Sequence, residues 1–412
     1  MSLTDLHVSL GNTKRRRLNP YASLHLVNDA EFPHQRLLCN PLIGEYDILT
    51  VLMSFVSPGA FLYIGCVSKS WRLAWGQRST STILSSIVQS ASCLEWAKDS
   101  GCRWDETICR RAAALGCFDA LRYARLNGCP WDVMTGREAA RRGYLQILEW
   151  SVSRGCPWDG MTCAMAAEGG HIHVLEWCRR NGGKWGPTIC ECAARRGQLK
   201  ALQYARSKGC RWNERTCVMA AGGGHLEVLQ WCRKMGCPWD SLTCAAAAGG
   251  GNLEVLKWCR RNGCPWDAWA CLRAAQEGEL ETLQWLRDNG CPLCEPLTLL
   301  EGARGGHMNI VRWCVTNGFP WSPKISAAAA EGGHLEVLKW CRANGCPWDE
   351  STCSSAAEEG HLEIIKWSIA NGCRWNPRDC YMRAGFGGHS EVVQWCIQSG
   401  YKPLCRSRIH AF

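Results

Sequence analysis

Residues 239–265 read WDSLTCAAAAGGGNLEVLKWCRRNGCP, and this stretch decides the fold because the chain keeps repeating it. Glycines recur at Gly101, Gly128, Gly155, Gly182, Gly209, Gly236, Gly263, Gly290, Gly318, Gly345, Gly372 and Gly400. The numbering advances by 27 at each step, and by 28 only from Gly290 to Gly318 and from Gly372 to Gly400. An aromatic precedes each glycine at a fixed offset, from Trp96 through Tyr123 and Tyr204 to Trp395. Self-similarity at such a period marks a solenoid, in which each unit buries its apolar face on its neighbours. Twelve units in register predict an all-α solenoid over residues 79–412.

Each unit reads as two short helices. Trp-Asp opens the first, and Asp105, Asp159, Asp240, Asp267 and Asp349 are placed to accept from first-turn N–H groups. Gly186-Pro187, Ser322-Pro323 and Asn376-Pro377 instead put proline at the first helical position, where its missing N–H costs nothing. The body, Thr-Cys-x-x-Ala-Ala, is small enough to let a neighbouring helix approach closely, and Gly-Gly-His ends it at 223–225 and 332–334. In the second helix, His334 to Arg342, an apolar stripe of Leu335, Val337, Leu338 and Cys341 lies clear of Lys339 and Arg342. Asn-Gly then closes it, glycine entering a left-handed cap freely. Helices of roughly ten residues do not hold alone, so the stripes must be buried between units.

The rest of the composition narrows the class. The chain has 412 residues, a net charge of +10, 23 Trp and 30 Cys. No run approaches 18 apolar residues, so a membrane-spanning helix is not expected, and the start lacks a secretory pattern. The thiols are therefore expected in a reducing compartment, without a disulfide framework. No Cys-x-x-Cys occurs in the repeats, so cysteine is expected to act as a small hydrophobe, with no metal or other cofactor. Ten Trp lie in the second helix and ten in the Cys-Pro-Trp-Asp turn, with Trp71, Trp75 and Trp269 outside both registers. Aromatic ladders can stack nucleobases. A repeated position serves a repeated contact, so each indole is expected to seal the seam between consecutive units. The His of Gly-His-Leu-Glu (His171, His225, His307, His334, His361, His389) gives way to Tyr144, Gln198, Asn252 and Glu279 in sister units. That variation fits helix-start hydrogen bonding and not catalysis, and no nucleophile–base pair or phosphate loop stands out. An enzyme is not expected.

The order Thr-x-x-x-Ala-Ala-x-x-Gly-His-Leu-Glu-Val-Leu, then Asn-Gly, resembles the ankyrin repeat over about residues 79–400. It is carried by Ala329-Ala330 and by Gly333-His334-Leu335-Glu336-Val337-Leu338. Ankyrin units run about 33 residues, six more than here. The missing residues fall between Gly-Cys-Pro-Trp-Asp and Thr-Cys, where that family carries its projecting hairpin. The resemblance implies stacked helix pairs with tight turns and little or no β-structure, and a protein–protein interaction role.

Residues 40–77, NPLIGEYDILTVLMSFVSPGAFLYIGCVSKSWRLAWGQ, break the period. Pro41-Leu42, the Ile-Leu-x-x-Leu of Ile48, Leu49 and Leu52, and Val67-Ser-Lys-Ser-Trp71-Arg72 resemble an F-box. That likeness implies docking of a Skp-type adaptor of a cullin ubiquitin ligase, with Pro41, Leu42, Ile48, Leu49, Leu52, Val67 and Trp71 as docking or core positions. The segment also reads as the cap that a solenoid needs over its first unit. Three divisions result: a disordered basic tail at 1–38, a helical module at 39–78 and the array at 79–412. Lys14-Arg15-Arg16-Arg17 in the tail has the form of a nuclear import signal, which leaves a cytoplasmic or nuclear location open.

In a solenoid, recognition falls on varying positions, and here the pairs after Ala-Ala vary. Arg141-Arg142 and Arg195-Arg196 come early; Gln276-Glu277 and Glu358-Glu359 come late, with Glu168-Gly169 and Arg304-Gly305 interrupting the trend. A protein partner of opposite polarity would fit this drift; a plain solvated face fits it equally. Residues 79–412 carry 39 basic against 32 acidic residues, too few extra positives for a nucleic-acid tracker.

Overall fold

The computed structural model describes residues 88–99 and 104–401. The chain divides into two units, 1–86 and 87–412. The F-box-like positions Pro41 to Trp71 and the basic run Lys14 to Arg17 lie outside the described residues.

Twenty-three helices and no strand occur among the described residues. Ala91–Asp99 stands first, and eleven pairs follow, from Glu106–Leu115 with Phe118–Leu126 to Pro377–Gly387 with Ser390–Gln398. First helices stack directly on the first helices of adjacent units, while each second helix packs mainly on its own first helix. The alanines make the close stacking possible: Ala247, Ala248, Ala274 and Ala275 are fully buried between successive first helices. On the second helices, Leu94, Leu121, Leu148, Leu175, Leu202, Leu229, Leu256 and Leu283 are fully buried, one per unit at the period of the repeat. Each such leucine contributes about 1.5–3 kcal/mol by leaving water. Val337, Leu338 and Cys341 are buried as their stripe requires, whereas Leu335 stays half-exposed at its edge.

The caps fix each unit's length. Asp105, Asp159, Asp267 and Asp349 accept first-turn N–H groups, as does Asp132. Asp240 departs from its sisters in one respect: its backbone is extended like theirs and its main-chain oxygen accepts from the Thr243 N–H at 3.1 Å as theirs do, but its side chain makes no cap bond. The proline starts at Pro187, Pro323 and Pro377 form as their sequences require. Both helices of a pair end in left-handed glycine, such as Gly278 (φ 84°) and Gly290 (φ 75°). The second-helix half is constant: Gly290 follows Gly278 at the same interval as Gly318 follows Gly306. The first-helix half absorbs the variation, since the stretch from Gly290 to Gly306 is one residue longer than that from Gly263 to Gly278.

Candidate interaction surfaces

The repeated aromatics build a ladder whose rungs lie within units. The turn indole meets the second-helix indole of its own unit edge-on, as in Trp131–Trp150 (5.8 Å, 76°), Trp239–Trp258 (5.8 Å, 65°) and Trp348–Trp367 (5.8 Å, 66°). The turn indoles also reach the joint, and Trp150 meets Phe118 of the preceding unit at 5.5 Å. These indoles are half-buried, and the bridge to the preceding unit is an arginine. Arg125 lies over Trp131 at 4.4 Å, Arg206 over Trp212 at 4.1 Å, Arg233 over Trp239 at 4.1 Å and Arg260 over Trp266 at 3.9 Å. The same guanidinium groups donate to a carbonyl oxygen one turn on, Arg125 to Cys129 at 3.1 Å and Arg260 to Cys264. A ring face already covered by its own arginine is not an open stacking platform. The ladder therefore reads as structure.

The histidines join the units from the other side. His171 caps no N–H of its own helix; its Nε2 meets the carbonyl of Arg141, in the preceding unit, at 3.1 Å. His225 to Arg195, His307 to Gln276 and His361 to Glu331 repeat the bond at 3.1, 2.8 and 3.1 Å. The helix-start hydrogen bonding that the sequence predicts is thus corrected to a bond at the end of another helix. The ring satisfies the free C-terminal carbonyls of the preceding unit's first helix. Asn252 serves the same end, donating to Ala221 and Gly222 oxygens at 3.1 and 2.9 Å, which explains the substitution between sister units. Gly143 (φ 79°) shows the constraint: a Cβ there would sit 2.6 Å from the His171 ring. Partial burial holds the His171 and His334 imidazoles below the usual histidine range.

The varying charged pairs are largely tied to one another. Arg195 and Arg196 both bond to Glu168 of the preceding unit, at 2.8 and 3.1 Å, and Glu168 is only 7% exposed. Arg141 pairs with Glu138 at 2.6 Å, Arg304 with Glu331 at 3.3 Å, and Glu358 with Arg383 at 2.6 Å. Gln276 accepts from Arg273, and Glu277 pairs with it at 3.0 Å. Arg142 and Glu359 are exposed and make no ion pair among the described residues.

A different feature escapes the sequence reading. Leu242, Trp269 and Leu297 stand near the starts of three successive first helices, 51%, 58% and 46% exposed. Adjacent packed helices lie about 8–10 Å apart, so the three stand at matching places one helix apart. Trp269 falling outside both Trp registers is the one signal the sequence holds. Inside the array, the structure also brings the sulfurs of Cys244, Cys259 and Cys264 within 4.8 Å of one another.

No family model matches the chain, and no curated protein does. Solved structures do match. The human ASB11 ankyrin repeat domain is similar over 46% of this chain and 99% of its own, at 18% identity and a TM-score of 0.34. The maize pentatricopeptide repeat protein PPR10 is similar over 94% of this chain and 74% of its own, at 15% identity and a TM-score of 0.31. No helix among the described residues is long and apolar enough to cross a membrane. The described chain is an all-helical repeat solenoid.

Proposed function

We propose that this protein recognises another protein along the starts of its first helices and, through residues 40–77, delivers it to a cullin-type ubiquitin ligase. The observation that carries the recognition half is the exposed row Leu242, Trp269 and Leu297. Exposed apolar side chains aligned over successive units mark a docking surface more than a solvated face. Trp is also the residue type most enriched at binding hot spots. The modest positive excess and the arginine-covered indoles speak against a nucleic-acid partner. Arg142 and Glu359, exposed at the opposite ends of the first helices in early and late units, are charges available for steering.

The delivery half rests on the F-box resemblance of Pro41, Leu42, Ile48, Leu49, Leu52, Val67 and Trp71. Such a receptor does no chemistry; it raises the local concentration of its target near the ligase. Co-expression with a Skp-type adaptor tests it: the adaptor should co-purify with the full chain and be lost on Leu49→Asp with Leu52→Asp at unchanged helicity. Absence of co-purification would leave a scaffold with no ubiquitin link. Proximity labelling tests the recognition half separately. The proteins labelled by wild type should be lost with Leu242→Ser plus Trp269→Ala, and an unchanged set would remove the surface from consideration.

A further inference from the structure

Three places in every unit can carry a thiol: after the first-helix Thr, after the second-helix aromatic, and after the capping glycine. Most units fill at least one of them otherwise. Ala124 accompanies Cys109 and Cys129, Ala205 accompanies Cys190 and Cys210, and Ser326 accompanies Cys341 and Cys346. Two successive units fill all three, with Cys217, Cys232 and Cys237 and with Cys244, Cys259 and Cys264, and all six side chains are fully buried. Among the described residues, Cys244, Cys259 and Cys264 are the one group of three metal-ligating side chains whose ligand atoms all lie within 4.8 Å.

We propose that Cys244, Cys259 and Cys264 form a three-sulfur site for a soft monovalent ion, Cu(I). Metal–sulfur bonds of about 2.3 Å in a trigonal plane put the sulfurs about 4 Å apart, inside the observed limit. Thiolate ligands select soft ions and exclude calcium and magnesium, which take oxygen. Zinc is the competitor, but a structural zinc takes four ligands and a catalytic one keeps a water. No fourth His, Cys or carboxylate joins this group among the described residues, and the sulfurs are sealed from solvent. A closed three-sulfur set suits a closed-shell ion content with low coordination.

A guanidinium stands beside the site, that of Arg260. Arg260 is itself fixed nearby, over Trp266 and bonded to the Cys264 carbonyl. In the thiol form, Cys264 Sγ also donates to the Asp240 main-chain oxygen at 3.4 Å. Coordination would exchange that bond for a metal bond and release the protons of the ligating thiols to solvent. Local opening of the helix pair is the entry path for a buried site.

The test loads the reduced full chain anaerobically with Cu(I) and challenges it with bathocuproine disulfonate. Cys259→Ala is the informative variant, because Ala124 and Ala205 occupy that place in sister units. Wild type should retain copper, with an ultraviolet sulfur-to-copper charge-transfer band, and Cys259→Ala should retain one equivalent fewer. Cys244→Ser, which installs the residue type that Ser326 supplies at the equivalent place, should behave likewise and guards against a folding defect in the first variant. Equal retention by wild type and variants, retention by neither, or Zn(II) held in preference under the same competition would each overturn the site.

Discussion

First helices and second helices meet their neighbours by opposite means. Along the first-helix row the contact is nearly backbone to backbone, with alanines such as Ala247 and Ala274 between. Along the second-helix row the contact is made by long side chains: arginine laid over the next indole, and a histidine reaching back to a carbonyl of the preceding unit. One seam is closed by smallness and the other by reach. Small side chains therefore prevail in the first-helix row, with Ile108, Ile189, Leu299 and Ile325 as bulkier exceptions, and large ones face inward from the second helix.

That contrast can be broken from either side. Leu229→Ala removes a fully buried second-helix side chain and should lower stability by about 2–5 kcal/mol in urea titration followed by circular dichroism. The reciprocal change, Ala274→Leu, forces bulk into the tight row and should cost about 1–3 kcal/mol by the same measurement. If Ala274→Leu were neutral, the first-helix row would not be closely packed. Arg260→Ala uncovers Trp266 at the joint and should cost about 0.5–1 kcal/mol, with a fluorescence change in the indole; its loss should leave helicity unchanged.

The smallest effect is a pH dependence of the second row. His171 and His334 have folded pKa values below the ordinary 6.5, so the folded state favours the neutral ring. The unfolded chain takes up the proton first, and their contribution is complete above the ordinary value and lost as pH falls below it. The melting temperature should therefore decline as the medium is acidified from neutral through the ordinary histidine pKa. His171→Asn with His334→Asn should flatten that decline, since Asn252 makes the same bond without titrating. An equal decline in the variant would take the histidines out of the account.

What a period encodes decides how much of the molecule is legible in its sequence. It assigns each residue a place within its unit, and so the helices, the glycine ends, the proline starts and the buried leucines can all be read from it. It does not say which side chains of different units share space, because that depends on how one unit is turned against the next. His171 reaching Arg141, and Arg195 and Arg196 sharing Glu168, are relations of that second kind; the three sulfurs converging at Cys244 lie within one unit, and their meeting depends on how its two helices fold together. Trp269 is singled out by its register, but only its exposure beside Leu242 and Leu297 gives it meaning.

The unvarying interval from first-helix glycine to second-helix glycine makes every module interchangeable at its borders. Unequal crossing-over between two copies would restore the same junction, so the gene can lengthen or shorten by whole modules without disturbing a helix. The spare residue accepted before Gly306 and again before Gly388 marks the stretch where single-codon drift is tolerated.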